Sequence, residues 1–178
     1  MSDVEEIFKN VYKFNIKKHI DDRGFFSEIY KNNDLLNSNI SNTFIQDNLS
    51  FSKNINTVRG LHYQDEPFSQ SKYVTVLKGK IWDVFIDIRN DSPTYLEYGF
   101  TELIAGESSL LMPKGFAHGF CTLEPDTLVF YKVDNPYSKN HEKGINWNDK
   151  SLNIPWPLDK DEVTLSEKDK ELPDLENI

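Results

Sequence analysis

Tyr73-Val74-Thr75-Val76-Leu77-Lys78-Gly79-Lys80-Ile81-Trp82-Asp83-Val84-Phe85-Ile86-Asp87-Ile88-Arg89 carries the clearest strand pattern in the chain. Val74 and Val76, then Trp82, Val84, Ile86 and Ile88, mark two strands, and Lys78-Gly79-Lys80 turns between them. In the second strand Trp82, Val84, Ile86 and Ile88 share an apolar face. The opposite face, Ile81, Asp83, Phe85 and Asp87, is mixed. Outward from here the pattern repeats. Asn90-Asp91-Ser92-Pro93-Thr94 is a turn with Asx chemistry. A strand pair is expected over Tyr98 to Ile104 and Ser108 to Met112, split by Ala105-Gly106-Glu107. Two more strands are expected over Phe116 to Thr122 and Thr127 to Val133, joined by Leu123-Glu124-Pro125-Asp126. Turn signals every ten residues or so point to an all-β sandwich or barrel.

Helix signals stay at the edges. Asn33 to Leu36 reads as one short helix. Ser166-Glu167-Lys168-Asp169 reads as a helix start, with Ser166 as cap and an acid at the third position. Asp21-Asp22-Arg23-Gly24 reads as an early hairpin or turn. There is no repeat at solenoid periods and no long linker, so residues 1–178 are expected to form a single domain. The acidic, lysine-rich end is expected to be disordered in its last few residues.

Composition narrows the function classes. Lys and Arg total 20 against 29 Asp and Glu, a formal charge of −9, which is the wrong balance for a general nucleic-acid or anionic-membrane binder. An anionic ligand must then be held by a few placed cations and amides. The single cysteine, Cys121, excludes an internal disulfide and a cysteine-rich metal site. The acidic start lacks the basic and apolar regions of a signal peptide, so a cytoplasmic protein is expected. P-loop, dinucleotide-fold, H-E-x-x-H, C-x-x-C and G-x-S-x-G patterns are all missing. What remains is proton chemistry on His, Tyr, Lys and carboxylates.

Four histidines (His19, His62, His118, His141) and three arginines (Arg23, Arg59, Arg89) draw notice, the arginines because their forks match carboxylate and phosphate. Arg59-Gly60-Leu61-His62-Tyr63-Gln64 places Arg59 and His62 on opposite faces of a regular strand. A twist or bulge, for example at Gly60, is needed to bring both to one pocket. His62 alone reads equally as a hydrogen-bonded barrel histidine. Cys121 reads as a small core residue, Arg89 as structural, and His19 and His141 carry no assigned role.

Pro113-Lys114-Gly115-Phe116-Ala117-His118 has the P-x-G-x-x-H form of the second motif of the cupin superfamily. Where many cupins carry H-x-H, this chain has His62-Tyr63-Gln64, so a metal site would lack part of its ligands. A cupin-type double-stranded β-helix, a jelly-roll barrel with short peripheral helices and no metal, is expected.

At a finer level the chain resembles the dTDP-4-dehydrorhamnose 3,5-epimerase family over nearly its whole length. The resemblance is carried by Asp22 to Glu28, Gln46-Asp47-Asn48, Arg59 to Gln64, Trp82-Asp83-Val84 to Asp91-Ser92-Pro93-Thr94, and Pro113 to Phe120. It continues through Phe130-Tyr131-Lys132, Tyr137 to Glu142, Trp147-Asn148-Asp149 and Leu165 to Asp169. No one of these segments would suffice; their order is specific. The resemblance implies epimerisation at C3 and C5 of a 4-keto-6-deoxy sugar on thymidine diphosphate, in dTDP-L-rhamnose biosynthesis, without metal or organic cofactor. The ketone acidifies both C–H bonds. Inversion needs a base on one face, an acid on the other and a cation near the enolate.

By the same resemblance His62 is the base, Asp169 the carboxylate that orients it, Tyr131 the acid and Lys72 the lysine near the enolate oxygen. Read without it, Asp169 is a helix-capping acid, Tyr131 barrel packing beside Val129 and Val133, and Lys72 a solvated strand-end lysine. Arg23 and Arg59 match residues on the nucleotide and its diphosphate. Glu28, Gln46, Asn48, Glu142 and Lys168 match polar contacts, and His118 a sugar-contacting histidine. Phe26 and Tyr137 match aromatics, the tyrosine stacking on thymine. In this family some nucleotide contacts come from the partner subunit through exchanged N-terminal strands, which implies a homodimer. Three other readings stay open: an epimerase of one carbon only or of another 4-keto sugar nucleotide, a metal-dependent cupin oxygenase, and a sugar-nucleotide binder without turnover.

Overall fold

The computed structural model describes residues 3–37 and 40–177. In chain order the strands are β1 Val4–Phe8, β2 Val11–Asn15, β3 His19–Asp21, β4 Gly24–Phe26, β5 Gln46–Ser52, β6 Val58–Gln64 and β7 Lys72–Lys78. They continue as β8 Lys80–Asp87, β9 Tyr98–Ile104, β10 Ser108–Met112, β11 Phe116–Thr122, β12 Thr127–Val133 and β13 Glu142–Gly144. The α-helices are short: α1 Asn32–Asn37 and α2 Glu167–Lys170. None of the described helices is long and apolar enough to cross a membrane.

One sheet has six strands in the order β1-β2-β10-β7-β12-β5, and the other has five in the order β13-β6-β11-β8-β9. Every named ladder in them is antiparallel. The chain crosses between the sheets at nearly every turn, which makes the architecture a cupin-type jelly roll. The small hairpin β3–β4 belongs to neither sheet.

The strands expected at Tyr98–Ile104, Ser108–Met112, Phe116–Thr122 and Thr127–Val133 form with those bounds. The second strand of the opening stretch stops at Asp87, two residues before the expected Arg89. The pairing differs from expectation. β9 and β10 are not a pair: β9 lies on β8, and β10 lies between β2 and β7. β7 and β8, and likewise β11 and β12, also sit in opposite sheets. A tight turn specifies only that the chain reverses. Whether the returning strand pairs alongside or faces across is decided by which distant strands complete each ladder.

Side-chain alternation then builds three apolar layers. Between the sheets pack Val74, Val76, Leu110, Met112 and Val129 from one side, and Ile81, Phe85, Leu103, Phe116 and Phe120 from the other. The outer face of the five-stranded sheet, with Val84, Ile86, Ala117 and Cys121, is covered by Ile145, Trp147, Leu152, Ile154 and Trp156. The outer face of the other sheet, with Phe14, Tyr73 and Leu111, is covered around Leu35 of α1. Full burial of each such aliphatic or aromatic side chain stabilises by about 1.5–3 kcal/mol. Burial pushes the Cys121 thiol up to about 12, as expected of an inert core cysteine.

The turn after β8 is ordered by Asp87 rather than by its own Asx residues. Its buried carboxylate accepts from Arg89 Nε at 2.8 Å and Nη2 at 2.6 Å, Ser92 Oγ at 2.5 Å and Thr94 Oγ1 at 2.7 Å. Burial raises this carboxyl, but the hydrogen bonds from Arg89, Ser92 and Thr94 outweigh it and hold the pKa at about 2. Arg89 is therefore a structural partner. At the C-terminal end Leu175–Asn177 form a 3-10 turn whose Leu175 N–H donates to Asp149 Oδ2 at 2.7 Å. Ile178, the last of the residues expected to be disordered, lies outside the described residues.

Candidate active site

β6 carries Arg59 and His62, and its ladder with β11 is irregular. His118 stands opposite His62 and Phe120 opposite Arg59, so three steps along β6 match two along β11. The extra residue lies at Gly60-Leu61. Gly60 has φ +106°, and a Cβ there would sit 2.6 Å from the His118 carbonyl oxygen, so only glycine fits. This bulge turns both Arg59 and His62 into the barrel, while Leu61 and Tyr63 pack outward in the Trp147 layer.

The open end of the barrel holds a cavity of about 450 Å³ lined by Arg59, His62, Lys72, His118, Tyr131, Lys168 and Asp169, among others. Its walls come from different elements. Arg59, His62 and His118 stand on the five-stranded sheet, Lys72 and Tyr131 on the six-stranded sheet, and Lys168 and Asp169 on α2. His62 and Tyr131 thus reach one space from opposite walls.

His62 Nε2 lies 2.5 Å from Asp169 Oδ1. A carboxylate accepts, so the proton sits on Nε2 and the lone pair of Nδ1 is left for a substrate. Asp169 is held by its helix: the Ser166 side chain caps α2 by accepting the Asp169 backbone N–H at 3.1 Å. Capping and histidine orientation therefore coexist. Burial pushes the Asp169 carboxyl up, but His62, Ser166 and Lys168 together outweigh it and hold it below its ordinary range.

Lys72 is not a solvated strand end. Its Nζ donates to the His62 carbonyl at 3.2 Å, and burial lowers its pKa to about 8 against the opposing pull of Asp83 and Glu142. Burial raises the Tyr131 hydroxyl above the usual phenol range, with Glu142 adding to this and Arg59 opposing it, so it holds its proton at neutral pH. Burial lowers His118, although its Nε2 lies 2.9 Å from Asp83 Oδ2. Arg59 is aimed by its Nε, which donates to Ser52 Oγ at 3.1 Å, and its Nη2, which donates to the Phe51 carbonyl at 2.9 Å.

At the rim Glu142 pairs with Lys168 and accepts from Tyr137 Oη at 2.7 Å. Gln46 and Asn48, joined by a 2.8 Å hydrogen bond, stand on β5 just beyond the lining, and Asn48 is the register partner of Tyr131. Arg23, Phe26 and Glu28 are not brought to this cavity. Phe26 is exposed on the β3–β4 hairpin, Arg23 pairs with Asp21, and Glu28 pairs with Lys31.

The donors present do not fit a cupin metal centre. His118 and His62 each give Nε2 to a carboxylate. Among the described residues no group of three or more His, Cys, Asp or Glu side chains is placed to hold a metal ion. Sequence reasoning missed Asp83, whose fully buried carboxylate holds His118 and leaves Oδ1 without a partner. The signal was there: an acid between Ile81 and Phe85 on a face that turns out to be the barrel interior.

A sequence model of dTDP-4-dehydrorhamnose 3,5-epimerase matches residues 5–177. The dTDP-4-dehydrorhamnose 3,5-epimerase of Sinorhizobium fredii is 44% identical over 161 residues, covering 89% of this chain and 82% of the relative. The crystal structure of the Bacillus anthracis enzyme of that name, with TDP and PPi bound, superposes with a TM-score of 0.91 at 45% identity, covering 97% of this chain and 100% of that one. The dTDP-6-deoxy-D-glucose-3,5-epimerase of Legionella pneumophila, in complex with dTDP-4-keto-L-rhamnose, gives 0.93 at 34% identity over 100% of this chain and 95% of that one. Matched in sequence, in barrel and along nearly its whole length, the chain belongs to the dTDP-4-dehydrorhamnose 3,5-epimerase family.

Proposed function

We propose that the protein inverts C3 and C5 of dTDP-4-dehydro-6-deoxy-D-glucose to give dTDP-4-dehydro-L-rhamnose. The observation that carries this is a carboxylate-held imidazole and a protonated phenol on opposite walls of one cavity, with a half-buried lysine at the start of β7. His62 Nδ1 takes the proton from the carbon beside the ketone, and the C–H electron pair moves to the ketone oxygen as an enolate. The Lys72 ammonium offsets that negative charge in a poorly solvated site. Tyr131 then protonates the same carbon from the opposite face, and the enolate collapses to the ketone. The imidazolium loses its proton, and the phenolate regains one, through solvent. The sequence repeats at the second carbon. The resident acid and base supply all of this chemistry, so no metal or organic cofactor enters the scheme.

Arg59 and Lys168 hold the diphosphate and nucleotide-sugar, with Glu142, Gln46, Asn48 and His118 supplying polar contacts and Tyr137 stacking on thymine. In this reading the chain works as one domain in a homodimer. β1 pairs with β2, and β2 with β10 of their own chain, so the exchanged N-terminal segment is the β3–β4 hairpin, which carries Arg23 and Phe26, with Glu28 just beyond it, to the partner's cavity. Support comes from the hairpin's separation from both sheets and from exposed apolar side chains on it, Ile20, Phe25 and Phe26. Further exposed apolar residues, Ile45, Leu49 and Phe51, lie along the edge strand β5 and just before it.

The test is turnover of dTDP-4-dehydro-6-deoxy-D-glucose coupled to a reductase that accepts only the L-sugar, followed against pH. Lys72 is a cation below its pKa and neutral above it, so kcat is expected to fall as pH rises through about 8. No reductase signal would remove the proposed substrate. Turnover that stays flat well above that pH would remove Lys72 from enolate stabilisation.

A further inference from the structure

Gln64 closes strand β6, two residues beyond His62, and is buried at 7% exposure. Its side-chain amide is fully used. Nε2 donates to the Phe68 carbonyl at 2.7 Å and to the Pro136 carbonyl at 3.2 Å, and Oε1 accepts the Ser138 backbone N–H at 2.6 Å. The last two partners are the peptide groups on either side of Tyr137. Opposite Gln64 in the ladder stands Glu142, the carboxylate that accepts from the Tyr137 hydroxyl. One register position of the β6–β13 ladder therefore holds Tyr137 by its backbone and by its ring tip. Other amides tie the same two loops together: Gln70 Nε2 donates to the Asn135 carbonyl at 2.7 Å, and Asn135 Nδ2 donates to the Pro67 carbonyl at 2.8 Å. Yet Tyr137 itself is exposed, with little packing to hold its ring.

We propose that Gln64 is a positioning residue for nucleotide binding: its amide clamps the peptides flanking Tyr137 and presents the ring, already aimed, to the thymine base. This rests on the stacking role given to Tyr137 above. Without the clamp the ordering of loop 134–138 falls on the binding step, and affinity drops with no change at the reacting carbons. The chemistry of the clamp demands both halves of an amide, a donor toward two carbonyls and an acceptor toward an N–H. Glutamate at this position keeps the acceptor but sets an acceptor against two acceptors.

The experiment is a double-mutant cycle on the full chain, with dTDP as the calorimetric probe and the sugar nucleotide for kinetics. Tyr137→Ala is expected to weaken dTDP by about tenfold, within the range of base–aromatic stacking. Gln64→Leu and Gln64→Glu should each reproduce most of that loss and raise KM similarly, with kcat within about twofold of the parent. Added to Tyr137→Ala, either change should cost little more, because its route of action is already gone. Two Gln64 variants guard against one failing to fold, and melting curves identify it. Additive losses in the double variants, or unchanged dTDP affinity and KM in a folded Gln64 variant, would overturn the clamp alone. Unchanged affinity in Tyr137→Ala would overturn the stacking reading, and the inference with it.

Discussion

His62→Ala is expected to lower both turnover and solvent exchange at the sugar's C3 and C5 by about 10³-fold, the scale of a lost general base. His62 is the cavity imidazole whose Nε2 is held by Asp169, at 2.5 Å, which leaves Nδ1 as the nitrogen available to a substrate. His118 lines the same cavity and also has its Nε2 on a carboxylate, Asp83, but burial lowers its pKa and so weakens it as a base. Its proposed part is to contact sugar rather than to replace His62. Binding of dTDP should change little, because Arg59 keeps its own tethers to Ser52 and Phe51. Losing the imidazole leaves the buried Asp169 carboxylate without its partner, and its pKa then rises toward or above the ordinary value. His62→Gln should therefore be run alongside, as a variant that still offers Asp169 a donor. Exchange persisting at both carbons in folded variants would show that the base is another residue.

Tyr131→Phe separates formation of the intermediate from its protonation. The substitution removes one hydroxyl and leaves the ring against the barrel core, so the fold should hold. With the acid gone, His62 can still take a proton and return one to the same face. Deuterium should then wash in with retained configuration, while inverted product falls by about 10²- to 10³-fold. This asymmetry follows from the two residues standing on opposite sheets. Near-normal yield of the L-sugar from the variant would take the tyrosine out of the mechanism.

The strand bounds were legible because alternation and turn residues are local. Tyr98–Ile104 and Phe116–Thr122 are defined by their own residues and their Gly and Pro neighbours. The placing of β10 against β2 and β7 rather than β9 was not, because it depends on residues far away in the chain. β1, β2, β5 and β13 were not delimited either. β1, β2 and β13 are short, and β5 carries its apolar Leu49 and Phe51 at exposed positions, so the sequence marks no buried face there. In the site, the need for a bulge at Gly60 could be deduced from Arg59 and His62, since both could not otherwise face one pocket. The partner of His62 came only from resemblance, because residues 107 apart in sequence meet only in the fold. Asp83 and Gln64 were overlooked for opposite reasons. An acid on a mixed strand face looks like noise, and one glutamine within a motif looks like spacing. Their meaning lies in what they touch, His118 and the peptides around Tyr137.

The most direct test of the account is NMR of dTDP-4-dehydro-6-deoxy-D-glucose with the unmodified protein in deuterated water. Opposed acid and base acting through an enolate predict deuterium at both C3 and C5, with conversion to the L-lyxo product. Deuterium at a single carbon would contradict double inversion and make the protein a monofunctional epimerase. Tight dTDP binding with no exchange at either carbon would contradict the assignment of this sugar as substrate.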